Sequence, residues 1–278
     1  MKSVPSGRDR ANTLRKGINE AIDTLAIAVD TVRASETFKA YLDMQARFHN
    51  YSWGNTWMIY SQRPDAERVA GFKTWQTLGR YVRKGEKGIA IFAPMRFKKE
   101  NAKGDTEDRI AFRVVHVFDV SQTDGKELPT VDAPNIENAA DDLLADLVRV
   151  ADSRGIAVSF QALSGGVFGM SKKGAIEVDN THATGQQAKT LAHELAHEAM
   201  HWEDRGELTR SIAELEAESV AYVVCKHFGL DTSVRSSAYI ALWSGDGKAM
   251  RESMDRIAKT ARTIIDDAIA SKTAKAVA

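Results

Sequence analysis

The run Leu191-Ala192-His193-Glu194-Leu195-Ala196-His197 restricts the possible folds of this chain more than any other stretch. Ala188, Leu191, Ala192, Leu195, Ala196 and Ala199 are good helix formers that recur along one side, which predicts a helix with that side against a core. Thr184 and Gln187 have the spacing of a capping box and mark the helix start. On such a helix His193 and His197 lie on one side, about 6 Å apart along the axis. Both imidazoles can therefore point at one metal ion. Glu194 is turned by roughly 100° from His193, which suits a base that reaches a water on the metal without being a ligand. This is the H-E-x-x-H pattern of zinc hydrolases. The same spacing also arises on solvated helix faces, where two histidines are merely neighbours.

A hydrolytic zinc usually takes three protein ligands and a water. His201 continues the histidine stripe, but lies about 12 Å from His193 along the axis, too far to share an ion. The next helical run, Ser211–Tyr222, offers acids. Glu214 and Glu218 share a face, while Glu216 points elsewhere and reads as a solvent charge. Glu214 is the expected third ligand and Glu218 the carboxylate that orients a ligating histidine, with Glu218 as ligand the open alternative. Glu214 also fits as a capping partner of Ser211. With that set, zinc would lower the pKa of a bound water to about 7. Glu194 would act as general base on a peptide bond, with Tyr222 or His201 steadying the oxyanion.

The 278 residues suffice for two domains. No apolar run approaches the roughly 20 residues of a membrane span, and Met1–Gly7 lacks the apolar core of a signal peptide. The one cysteine, Cys225, rules out an internal disulfide and a thiolate zinc cage, and reads as a buried small residue. These features predict a cytoplasmic protein without a membrane partner. The net charge is zero, yet residues 1–128 carry 22 Lys and Arg against 16 Asp and Glu, and residues 129–278 the reverse. A basic half joined to an acidic half suggests nucleic-acid contact by the first.

Amphipathic periodicity predicts helices over 11–33 and about 36–48, then a short helix before Pro64. The stretch from Gly71 to Pro94 holds a short helix near Thr74–Leu78, a Gly-bracketed basic turn at Arg83–Gly88 and a strand at Ile89–Phe92. Arg80, Arg83, Lys84 and Lys87 could meet phosphates, and Trp75 and Tyr81 could stack bases, as sequence-independent binding of single strands requires. A solvated hairpin turn fits the same residues. Residues 95–108 read as a loop. Ile110, Phe112, Val114, His116 and Phe118 alternate as one face of a strand. Residues 121–136, with Gly125, Pro129 and Pro134, make the best linker. A helix follows from about 136 to 153, then strands at 156–160 and 175–179. The latter could pair, as an edge, with an extended peptide.

Two sets of residues carry a family resemblance. Val69-Ala70-Gly71-Phe72-Lys73-Thr74-Trp75-Gln76-Thr77-Leu78-Gly79-Arg80-Tyr81-Val82-Arg83-Lys84-Gly85-Glu86-Lys87-Gly88, followed by Val117-Phe118-Asp119-Val120-Ser121-Gln122-Thr123, resembles the N-terminal domain of ArdC-type antirestriction proteins. His193 and His197 with Glu214-Leu215-Glu216-Ala217-Glu218 resemble their C-terminal zincin domain, which is similar to the ImmA/IrrE metallopeptidases. The resemblance implies an α+β chain of two domains: a small α/β single-stranded-DNA-binding-like domain over 1–128 and a gluzincin-like metallopeptidase domain over 137–278, joined by a linker at 129–136. It implies an origin on a bacterial plasmid, phage or integrative element, single-stranded DNA as partner, Zn2+ as cofactor, and shielding of incoming DNA from restriction. The protein substrate of such a peptidase is unknown. Two other readings fit: a DNA-binding shield with a structural metal site, and an ImmA-like protease that cleaves a repressor.

Overall fold

The computed structural model describes residues 7–26, 31–100, 106–128, 139–202, 209–230, 232 and 246–277. The expected linker at 129–136 lies outside the described residues. The fold is mixed α+β and begins with three helices, α1 (Gly7–Ala26), α2 (Thr31–Arg47) and α3 (Trp53–Gln62). Then come β1 (Val69–Gly71), α4 (Phe72–Thr77), β2 (Arg80–Val82), β3 (Ile89–Glu100), β4 (Thr106–Asp119) and β5 (Thr123–Gly125). The later part holds α5 (Ala139–Ser153), β6 (Ala157–Gln161), β7 (Gly169–Ser171), β8 (Ala175–Asp179), α6 (Thr184–Met200), α7 (Arg210–His227) and α8 (Gly247–Val277).

Contacts divide the chain into two compact units, Met1–Ile22 with Gly54–Pro129, and Asp23–Trp53 with Thr130–Ala278. The division differs from an unbroken first domain over 1–128, because Asp23–Trp53 packs with the later helices. The apolar side of α2, with Phe38, Tyr41 and Leu42, is buried. Tyr222 of α7 donates its hydroxyl to Asp43 at 2.5 Å.

In the first unit β4 is flanked by β1 and β3, both antiparallel to it, and β2 pairs with β5. The β3–β4 pairing runs from Ile89↔Val117 to Glu100↔Thr106. Most of the segment expected to be a loop, 95–108, is thus the outer part of a long ribbon. Its charged residues pass for loop in a sequence because the described side chains there, such as Arg96, Phe97 and Lys98, are exposed on both faces. The face with Ile110, Phe112, His116 and Phe118 is largely the open one: Ile110 is 62% exposed. Ile89, Ile91 and Val117, on the other face, enter the core.

Asp119 ties this unit together. Buried, its carboxylate accepts from the backbone of Glu67, Arg68 and Ser121 at 2.8–3.0 Å. Gln122 completes a capping box by accepting from Asp119 N–H and donates to Glu86 and Lys87 O. Gln122 of the later signature stretch thus locks to Glu86 and Lys87 of the earlier one through part-buried hydrogen bonds that would be costly to leave open. At Gly88 an added Cβ would stand 2.8 Å from His116 Cβ, so only glycine fits against β4.

In the second unit β8 lies between β6 (parallel) and β7 (antiparallel). The expected docking of a peptide on an edge at 175–179 is therefore corrected: both sides of β8 are already paired, and β7 is the edge strand beside α6. The helices bury the apolar stripes that the sequence spacing dictates. On α8 these are Met250, Met254, Ile257, Ala261, Ile264, Ile265 and Ala268. Each large side chain among them contributes about 1.5–3 kcal/mol on burial.

Candidate metal centre

Helix α6 is anchored by Ala188, Leu191, Ala192, Leu195 and Ala196, all buried. Its N-cap is Ala183, with no side-chain cap. The predicted capping box is absent: Thr184 is already helical, and the Gln187 amide reaches back to His182 O at 2.6 Å. Helix α7 starts at Thr209, whose hydroxyl accepts from Ile212 N. Thr209 does the capping that the sequence allowed to Ser211, so Glu214 is left to face α6.

His193 Nε2 and His197 Nε2 lie 3.1 Å apart. Glu214 Oε2 is 3.4 Å from the first and 3.7 Å from the second. One ligand atom from each of these three residues falls within 4.8 Å of the others. Ligand bonds of about 2.0–2.1 Å in a tetrahedral site put neighbouring ligand atoms roughly 3.3–3.4 Å apart. The two histidine nitrogens and the carboxylate oxygen have close to that spacing, so the donor set fits a divalent ion.

Around these donors the charge is negative. Glu218 Oε2 is 3.5 Å from His193 Nδ1, and its Oε1 is 2.5 Å from Lys189 Nζ. Burial works against a proton on His193, yet hydrogen bonds to Glu214 and Glu218 and the charge of Glu194 lift its pKa to about 9. Hydrogen bonding to His193, with the His197 imidazole close by, holds Glu214 well below the usual carboxylate range. Glu194 is buried beneath β7. Burial raises its pKa, opposed by the two histidines and by a hydrogen bond from Ser171 N–H. Gly169 of β7 lies so close that an added Cβ would sit 3.2 Å from Glu194 Cγ.

Other expectations need correction. Glu216 is not a solvent charge but 0% exposed. Its carboxylate meets His201 Nε2 at 3.1 Å and accepts from Ser253 and Arg256 of α8. His201 Nδ1 lies 2.9 Å from His197 Nδ1. Tyr222 is buried and bonded to Asp43, so its hydroxyl is engaged in the helix core. Glu198, unremarked in the sequence, accepts from the N–H groups of Lys173 and Gly174 and from Ser171 and Trp202, and so fixes the β7–β8 turn to α6. No sequence signal separates Glu198 or Glu216 from surface glutamates. Cys225 is buried as expected, its thiol pushed up to about 12 by burial.

The basic turn divides into structural and exposed residues. Trp75 is 2% exposed and donates Nε1–H to Phe118 O at 2.9 Å, so its indole is core and not a stacking platform. Arg80 is held by Thr123 and by Lys126 O at 2.6–2.9 Å. Arg83 is held by Ser121 O, Glu86 and Asp124. Both guanidiniums satisfy backbone and carboxylate acceptors of their own unit, Arg80 half-buried and Arg83 exposed. Tyr81, Lys84 and Lys87 are exposed, Tyr81 by 59%. No helix among the described residues is long and apolar enough to cross a membrane.

Comparison with known proteins bears on both ends of the chain. Residues 11–120 match the family described as the N-terminal domain of anti-restriction factor ArdC. An uncharacterized protein of Bacillus anthracis is 27% identical over 274 residues, an alignment covering 81% of this chain. The chain spans about half the length of that relative, 46%. The metal-free crystal structure of antirestriction ArdC protein from the R388 plasmid superposes with a TM-score of 0.52 at 20% identity, covering 77% of this chain and 82% of that one. The Mn(II)-bound structure of the same protein gives 0.49 at 20% identity, covering 82% and 97%. Over residues 11–120, then, the chain is similar to the N-terminal domain of the ArdC-type antirestriction proteins.

Proposed function

We propose that the chain is a DNA-associated metallopeptidase of antirestriction type, with a divalent ion, zinc by the chemistry of its donors, held by His193, His197 and Glu214. The observation that carries this reading is the convergence of those three donor atoms beside a buried Glu194. Two imidazoles and one carboxylate leave a fourth position open, as hydrolytic zinc sites do. The ion would supply Lewis acidity toward a carbonyl and toward water. Glu194 takes a proton from the attacking water and passes it to the leaving amine, a task suited to a carboxylate whose pKa burial has raised. Ser171 N–H keeps one of its oxygens in place. Glu218 accepts from His193 Nδ1 and so presents Nε2 to the ion. A helix carrying H-E-x-x-H followed by a helix supplying a glutamate is a gluzincin-like arrangement. The first unit would carry single-stranded DNA on exposed groups such as Tyr81, Lys84 and Lys87, and the protein would act in the cytoplasm.

Metal content of purified wild type and His193→Ala tests the ligand set: one equivalent in the first and a large loss in the second are expected. Equal content in both would overturn the assignment. A screen of protein substrates with wild type and Glu194→Gln, with and without single-stranded DNA, tests the chemistry. A second reading has its own support, since the family match falls on residues 11–120 and not on the metal centre. In that reading the protein is a DNA shield with a structural metal, and Glu194→Gln retains full protection of transferred DNA.

A further inference from the structure

The metal centre is backed by a buried chain of hydrogen bonds that ends on α8. His197 Nδ1 faces His201 Nδ1 at 2.9 Å, His201 Nε2 faces Glu216 Oε2 at 3.1 Å, and Glu216 accepts from Ser253 Oγ at 2.5 Å and from Arg256 at 2.5–3.2 Å. His201, Glu216 and Ser253 are buried, so water does not compete for these bonds.

The direction of this chain is fixed from its far end. Arginine can only donate, and an ionised carboxylate can only accept. Glu216 must therefore receive a proton-bearing nitrogen from His201, which puts the His201 hydrogen on Nε2. A neutral imidazole has one donor and one acceptor nitrogen, so in the neutral form His201 Nδ1 is an acceptor. With His201 neutral, His197 Nδ1 supplies the hydrogen for the 2.9 Å contact. His197 Nε2 is then left with its lone pair, and that nitrogen is the one 3.1 Å from His193 Nε2 and 3.7 Å from Glu214.

We infer that Glu216, acting through His201, is a positioning residue that sets the tautomer and ring orientation of His197 for metal ligation, with Arg256 and Ser253 holding the carboxylate in place. The inference rests on the metal-centre reading for its purpose, but the tautomers themselves do not depend on a metal. A carboxylate behind a ligating histidine is a common way to orient it. Here a second histidine is interposed, and the anchor lies on α8, beyond the two helices that carry the ligands. Sequence spacing could not reveal it, because Glu216 and Arg256 are brought together only by the packing of α7 on α8.

The substitution Glu216→Gln makes a specific prediction. Arg256 and Ser253 need an acceptor, so the new amide oxygen turns toward them and the amide nitrogen toward His201. Every bond in the chain then reverses. His201 carries its hydrogen on Nδ1, and His197 carries its hydrogen on Nε2, where it blocks the lone pair. Long-range proton–nitrogen NMR correlations of the imidazoles in metal-free protein are expected to show His197 as the Nδ1–H tautomer in wild type and as Nε2–H in Glu216→Gln. Zinc titration against a competing chelator should give a dissociation constant raised about 10–100-fold in the variant. His201→Phe, which spares the Glu216–Arg256 pair, covers the case in which Glu216→Gln fails to fold, and should also weaken zinc binding and free His197 to take Nε2–H. If wild type takes up no zinc, the metal-centre reading falls and the tautomers alone judge the chain. If the folded variants keep His197 as Nδ1–H and bind zinc as wild type does, the inference is overturned while the ligand set, read by His193→Ala, stands.

Discussion

Trp75 and the lysine pair Lys84 and Lys87 give opposite predictions, and comparing them tests how the first unit is built. Trp75→Phe removes the indole N–H that Phe118 O accepts at 2.9 Å. The carbonyl left behind costs about 1–3 kcal/mol, and the ring volume lost from a closed site adds about 1 kcal/mol. For a unit of this size each kcal/mol lowers the melting midpoint by about 4–8 °C. A drop of about 8–32 °C in the first unit is expected from about 2–4 kcal/mol. Single-stranded DNA affinity, measured by anisotropy of a labelled oligonucleotide well below the midpoint, should be unchanged, because the indole never reaches the surface. Lys84→Ala with Lys87→Ala should do the reverse. Two exposed cations lost should reduce the slope of log affinity against log salt by about 1.4, or about 0.7 for each single-strand phosphate contact. Between about 50 and 200 mM salt this alters the affinity loss roughly sevenfold. The melting midpoint should hold to within about 0.5 kcal/mol of stability, as for other surface changes. The reasoning fails if Trp75→Phe weakens binding without lowering the midpoint, or if the double lysine variant keeps the wild-type slope.

Three other perturbations follow from the packing. His49 and His227 stand with ring centroids 4.4 Å apart, and burial first, then His227, lowers His49 to about 4 from an ordinary 6.5. A depressed histidine binds its proton more readily in the unfolded chain, so stability falls as pH drops from about 6.5 toward 4, by about 3 kcal/mol at most. Urea midpoints across that range should fall less steeply in His49→Phe, and parallel curves would refute the point. Gly169→Ala places a Cβ 2.4 Å from Thr190 Cγ2 and should cost about 1–3 kcal/mol by overpacking β7 against α6. An unchanged thermal midpoint would show that β7 can shift freely. Asp119→Ala leaves the N–H groups of Glu67, Arg68 and Ser121 without their carboxylate and should cost about 3 kcal/mol, read by chemical denaturation. A loss below about 1 kcal/mol would mean that water replaces it easily.

Much of the site was legible in the residues because a helix is a local object. Four-residue spacing puts His193 beside His197, and the run of alanines and leucines says which side is buried. The same periodicity proposed Glu214 and Glu218 on one face of the next helix, and they lie at 3.4 Å and 3.5 Å from His193. The Gly-bracketed turn at Arg83–Gly88 was readable for the same reason, since backbone conformation there depends on near neighbours.

What the residues could not tell is which polar groups the core would take in. Trp75 has the composition of a nucleic-acid surface, yet it is core, and β4 supplies the carbonyl that its indole satisfies; Arg80 and Arg83, nearer the surface, also meet carbonyls of β5 and of the 3-10 turn. Glu216 looks like any solvated glutamate in an acidic helix, and only α8, arriving some forty residues later with Ser253 and Arg256, makes it a buried anchor. Likewise β8 looked like an edge until β7 paired with it. Sequence alone fixed the local periodicities and therefore the donors of the candidate metal centre. Tertiary structure decided burial and partner choice, because these depend on contacts between segments far apart in the chain, for which no local pattern exists.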